Sequence, residues 1–171
     1  MILIALGANL STELYGPPEK GLDAALLALE GKGIRVMRRS RWYCSAPVPP
    51  SDQPWYVNGV AVIESDRSPA ALLACLLEVE CSFGRRRAER NEARVLDLDL
   101  LAYGERIEDD VGAGLTLPHP RMHERAFVLR PLSEIVPDWS HPVLGRSAAQ
   151  LWAALSGSGV VVSIAPDDAT E

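Results

Sequence analysis

Apolar residues fill positions 2–6, Ile-Leu-Ile-Ala-Leu, and then give way to Gly7-Ala8-Asn9, the pattern of a buried strand that ends in a turn. Over 19–30, Leu22, Ala25, Leu26 and Leu29 recur at helical spacing behind Pro17-Pro18 and stop at Gly31 and Gly33, which predicts a helix. Positions 34–43 mix Ile34, Val36 and Met37 with Arg35, Arg38 and Arg39, as in a half-exposed strand. The 45–55 stretch carries four prolines, which fix φ and deny backbone donors, so it reads as a long loop. Alternation over 56–64 predicts a strand that pairs with the preceding one. Ser68-Pro69 is a helix start, and Leu72, Leu73, Leu76 and Val79 give that helix its buried stripe as far as Gly84. An arginine-rich loop follows, then a strand through Asp97 and Asp99, then a turn over 103–107 into a further strand. The order β-α-β-β-α-β is the split βαβ, ferredoxin-like arrangement of the α+β class: an antiparallel sheet with two helices on one face.

Beyond this core the pattern predicts C-terminal additions. Positions 115–121 read as a second proline-bounded loop. Positions 125–135 read as helical at both ends, with Pro131 marking a break or a new first turn. A helix over 147–155, a last strand over 160–164 and a frayed acidic tail over 167–171 complete the chain. At 171 residues and 47% hydrophobic, a single domain over 1–171 with a full core is expected.

Charge narrows the function. A net charge of −6 argues against a nucleic-acid or anionic-membrane binder, yet five of the 17 Lys and Arg residues fall between Arg85 and Arg94. That concentration suits a pocket for a small polyanion. The three cysteines have no C-x-x-C spacing, which indicates neither a disulfide framework nor a zinc site and suits a reducing cytoplasm. The N-terminal run lacks a basic flank and fits a first strand better than a signal peptide, and no apolar stretch has the length of a membrane helix.

Candidate chemistry centres on Arg94-Val95-Leu96-Asp97-Leu98-Asp99. Side chains two apart on a strand share a face, so Asp97 and Asp99 project side by side and call for a compensating cation. Hard oxygen donors suit Mg²⁺, which takes one or two carboxylates and leaves its other positions to water and phosphate. Paired carboxylates, an arginine cluster and a loop histidine, His119, are equipment for phosphoryl-type transfer, although neither a Walker pattern nor a kinase glycine loop is present. Two rival readings are a metal-dependent phosphodiesterase, which would usually add further metal ligands, and a ferredoxin-like RNA-binding module, which would need strand aromatics and a basic surface.

Five pieces in this order carry a family resemblance: Gly7-Ala8-Asn9; Asp52-Gln53-Pro54-Trp55-Tyr56-Val57-Asn58; Glu80 ahead of Gly84-Arg85; Arg94 to Asp99; and Leu117-Pro118-His119-Pro120-Arg121-Met122-His123-Glu124-Arg125-Ala126-Phe127. Together they resemble 6-hydroxymethyl-7,8-dihydropterin pyrophosphokinases of folate biosynthesis. The resemblance implies transfer of a diphosphoryl group from ATP to the pterin hydroxymethyl, with release of AMP. It implies Asp97 and Asp99 as ligands of two Mg²⁺ ions, Arg85 and Arg94 as catalytic arginines together with His119 at the phosphates, and Arg87 and Arg90 as arginines that close over them. Glu80, Leu100, Leu115, Thr116 and Arg125 fall where the family holds ATP. Gly7, Asn9, Ser45, Ala46, Val48, Tyr56, Asn58 and Phe127 fall where it holds the pterin, with Tyr56 and Phe127 as the two stacking faces. Ala8 stands where many members carry serine, Asn91 replaces a common tryptophan, and no lysine occurs in the basic loop. The expected partners are ATP and the pterin, with no nucleic acid and no membrane, and the expected state is a free-standing monomer.

Overall fold

The computed structural model describes residues 1–84, 93–110, 112 and 114–155, together with the backbone of 161–163. Strand β1 spans Ile2–Ala8, helix α1 Pro18–Gly31, β2 Arg35–Arg39, β3 Tyr43–Ser45 and β4 Tyr56–Glu64. Helix α2 spans Pro69–Ser82, followed by β5 at Asp97–Tyr103, β6 at Glu108–Asp110 and β7 at Leu115–Leu117. Helix α3 covers Ala126–Ile135, α4 Ala148–Ala154 and β8 Val161–Ser163.

The main sheet runs β5-β1-β4-β3-β8, with β2 also on β4, and every pairing in it is antiparallel. Because β1 separates β4 from β5, and β4 separates β1 from β2, each β-α-β crossover skips one strand. This is the ferredoxin-like arrangement. Alternation along β1 splits the core between two faces. Ile2, Ile4 and Leu6 pack with Leu22 and Leu29 of α1 and with Leu72, Leu76 and Val79 of α2. Leu3 packs on the other side with Val128, Leu129 and Leu132 of α3 and Leu151 of α4. The C-terminal additions therefore cover the sheet face that the βαββαβ core leaves bare. The caps follow the sequence: the Ser68 hydroxyl accepts from the Ala71 N–H, and Ser147 forms a reciprocal capping box with Gln150.

Several expectations need correction. β1 continues through Gly7 to Ala8 and pairs on both sides, so Gly7 lies within a strand and not in a turn. The single strand expected over 34–43 is two, because the ladder is interrupted at Ser40: its N–H still donates to the Val60 carbonyl, but the Val60 N–H goes to its hydroxyl, which in turn donates to the Arg41 carbonyl. Positions 115–117 are a strand that pairs with β6, where a loop was expected. α3 runs unbroken through Pro131. A proline there forgoes only the bond to the Phe127 carbonyl, and the helix is held by its buried face instead. Trp42 is buried against Gly59, where a Cβ would fall 2.5 Å from the indole, so the glycine in β4 is a packing requirement.

Candidate active site

Strand β5 sends Leu98 and Leu100 into the first core, and the alternation turns Asp97 and Asp99 to the opposite face, half-exposed. On neighbouring β1 the residues across from them are Gly7 and Ala5. Two small residues beside two carboxylates open a cleft, lined by Ala5, Leu6, Gly7, Asn58, Gly59, Asp97, Asp99 and Phe127. Phe127 enters it from the first turn of α3.

Cations converge on the carboxylates. An Arg94 Nη lies 2.6 Å from Asp97 Oδ1, an Arg125 Nη 3.4 Å from Asp99 Oδ2, and His119 Nε2 4.0 Å from that same oxygen. His119 is set in place by its own N–H, which donates to the Leu101 carbonyl at 2.8 Å. Burial would lower the Arg94 pKa, but Asp97 first, then Tyr56 and Asp99, hold it above its ordinary value. Burial pushes the His119 imidazole below its ordinary value, against the pull of Asp99. The Arg125 guanidinium also lies 5.6 Å over the Phe127 ring.

Glu80 is wholly buried and accepts the Leu98 N–H at 2.6 Å, so its carboxylate is turned to the backbone between the two aspartates. Leu100 and Leu115 are packed in the first core, and the Thr116 hydroxyl donates to Asp109 at 2.9 Å. Asn58 donates from Nδ2 to the Ser45 hydroxyl at 2.8 Å. The Tyr56 hydroxyl donates to Gln53, and its pKa is raised by burial first, with Arg94 opposing and Asp97 adding. Tyr56 is thus close enough to the ion pair to feel both charges. Ala46 and Val48 follow β3 but do not line the cleft, and Val48 is exposed. Asn9 is buried, with Arg94, Gln53 and Pro54 around its amide. Arg85, Arg87, Arg90 and Asn91 lie outside the described residues. Gln53, which the sequence places in a family piece without a role, accepts from both the Asn9 amide and the Tyr56 hydroxyl.

Residues 3–137 match the model of the family described as 7,8-dihydro-6-hydroxymethylpterin-pyrophosphokinase. The chain belongs to this family. A 2-amino-4-hydroxy-6-hydroxymethyldihydropteridine pyrophosphokinase of Synechocystis is 44% identical over 151 residues, 87% of this chain and 73% of the relative. One of Pseudomonas aeruginosa is 39% identical over 160 residues, 93% of this chain and 94% of the relative. Among solved structures, wild-type HPPK-DHPS of Plasmodium falciparum with pteroate superimposes with a TM-score of 0.67 at 12% identity. That match covers 90% of this chain and 44% of the other, so this chain spans less than half of the solved one. The likeness shows a shared fold.

The donor set fits Mg²⁺. Among the described residues no group of three or more His, Cys, Asp and Glu could hold a metal, but two half-exposed carboxylates on an open cleft are enough for an ion that keeps water and phosphate as its other ligands.

Proposed function

We propose that this pyrophosphokinase transfers the β,γ-diphosphoryl group of ATP to the hydroxymethyl of 6-hydroxymethyl-7,8-dihydropterin in folate biosynthesis, and that the transfer takes place in the cleft beside Asp97 and Asp99. The observation that carries the reading is the convergence of Arg94, Arg125 and His119 on that carboxylate pair in a chain of this family.

The pterin hydroxymethyl oxygen forms a bond to the β-phosphorus and gives up its proton to solvent, the bond from that phosphorus to the α,β-bridging oxygen breaks, and AMP leaves. Chemistry of this type is promoted by alignment and charge neutralisation, and the residues divide on those lines. Phe127 and Tyr56 offer aromatic faces to the flat ring, and Asn58 offers an amide that both donates and accepts at its edge. Asp97 and Asp99 would hold Mg²⁺, which supplies charge neutralisation at the triphosphate when bound. Arg94, Arg125 and His119 offer N–H donors to the transferring oxygens, and the family resemblance adds Arg85, Arg87 and Arg90 to that role. Glu80 fixes the β5 backbone between the aspartates, and Leu100, Leu115 and Thr116 bound the nucleotide side through their strands. Three free cysteines, Cys44, Cys75 and Cys81, suit work in a reducing compartment.

Incubation with ATP, Mg²⁺ and the reduced hydroxymethylpterin tests the reading by its nucleotide product. AMP in step with pterin diphosphate is expected; ADP, or AMP without dependence on pterin, would contradict it.

A further inference from the structure

The amide of Asn9 joins Arg94, which precedes β5, to the loop that precedes β4. Its Oδ1 accepts the Arg94 N–H at 2.7 Å, and its Nδ2 donates to the Pro54 carbonyl and to Gln53 Oε1, both at 3.2 Å. The backbone adds to this, because the Asn9 N–H donates to the Arg94 carbonyl at 2.9 Å. The Arg94 residue is thus held at both its N–H and its carbonyl, three positions before the aspartate its guanidinium grips. The orientation of the amide is dictated by chemistry. A backbone N–H can only donate and a carbonyl can only accept, so Oδ1 must face Arg94 and Nδ2 must face Pro54. With Nδ2 donating, Gln53 must turn Oε1 to Asn9, and that same oxygen accepts the Tyr56 hydroxyl at 3.3 Å.

Resting on the reading of Tyr56 as a pterin-stacking residue, we propose that Asn9 and Gln53 are positioning residues that register the Gln53–Tyr56 segment against Arg94, so that the pterin-side ring and the Arg94–Asp97 ion pair are set by one chain of hydrogen bonds. Asn9, which the family resemblance puts among the pterin contacts, acts through its neighbours: both hydrogens of its Nδ2 are taken up by Gln53 and Pro54. A relay of this kind matters because a diphosphoryl transfer depends on the alignment of acceptor and phosphates, and small displacements remote from the reacting atoms cost rate.

The polarity of the chain supplies the test. Position 53 needs an acceptor, and both a carboxamide and a carboxylate provide one. Position 9 needs an acceptor and a donor at once, which a carboxylate cannot provide. Gln53 lies half-buried on a loop, so its variants will fold. Steady-state kcat and KM for the pterin, with pterin affinity by calorimetry, are measured for Gln53→Met, Gln53→Glu and Asn9→Asp. Gln53→Met, which keeps the length and loses the acceptor, lowers kcat/KM about tenfold, with the loss divided between KM and kcat. Gln53→Glu recovers most of that loss. Asn9→Asp, which sets an acceptor against Gln53 and the Pro54 carbonyl, loses about a hundredfold. Opposite outcomes for the same amide-to-acid change at the two positions are not produced by a merely loosened loop. Wild-type kinetics in Gln53→Met, or a Gln53→Glu variant as impaired as Gln53→Met, would overturn the relay. Tyr56→Ala separates the two levels. Wild-type pterin affinity there would remove the site reading and the relay with it, whereas lost affinity beside an unimpaired Gln53→Met would remove the relay alone.

Discussion

Asp97 lies across the pairing of β1 and β5 from Gly7. The missing side chain leaves room next to the carboxylate, and that room is narrow: a Cβ on Gly7 would fall 3.1 Å from Asn58 Oδ1. Gly7→Ala keeps an allowed extended backbone but presses on the amide that faces the cleft. Displacing that amide should lower pterin affinity roughly tenfold, and the overpacking itself, at about 1 kcal/mol of stability, should lower the melting temperature by about 2–4 °C. Calorimetric titration with pterin checks this, and unchanged affinity would separate Asn58 from the pterin.

Phe127 stands in the cleft with Arg125 above its ring. Phe127→Ala removes one of the two faces proposed to stack on the pterin, and by analogy with base stacking on aromatic side chains the loss in pterin affinity should be roughly 1–3 kcal/mol. ATP affinity should change little. A variant that bound pterin normally and lost ATP would reverse the assignment of this face.

Stability should depend on pH through His141, which is buried with its Nδ1 accepting the N–H groups of Val143 and Leu144. Burial first and His123 second hold its pKa below the ordinary 6.5. In the window below that value the unfolded chain binds the proton and the folded chain does not, so unfolding takes up protons and stability falls as pH falls. His141→Asn retains an acceptor for the turn and cannot titrate. Between about pH 7 and about pH 5 its melting temperature should fall less steeply than that of the wild type. Parallel curves would show that His141 does not carry the dependence.

Much of this architecture is legible in the sequence where one rule acts alone. The alternation over 56–64 matches β4 to the residue, Ser68-Pro69 marks the start of α2, and the period of a strand is enough to put Asp97 and Asp99 on one face. What escapes is decided by pairing across long separations. Gly7 reads as a breaker, but bonds to both β4 and β5 keep it in β1. β6 falls where the turn over 103–107 leads into an expected strand, but its partner β7 is three residues long, too short for any periodicity, and exists because it pairs with β6. Pro131 reads as a break or a new first turn, yet the apolar side of α3 packed on the sheet carries the helix past it. The Asn9 hydrogen bonds reach a residue 85 positions away and leave no local trace.

The proposed function requires the β5 carboxylates to serve the chemistry and not the fold. Asparagine has nearly the shape of aspartate, so Asp97→Asn and Asp99→Asn preserve packing while each removes one of the carboxylates proposed to hold Mg²⁺. The deciding measurement is the turnover of each variant at saturating Mg²⁺, ATP and pterin, with a thermal melt of the same preparation. A loss of about 4 kcal/mol in transition-state stabilisation is about a thousandfold in rate, and that loss with an unchanged melting temperature is the predicted result. Near-normal turnover with a lowered melting temperature would show that the pair is structural and would contradict the account.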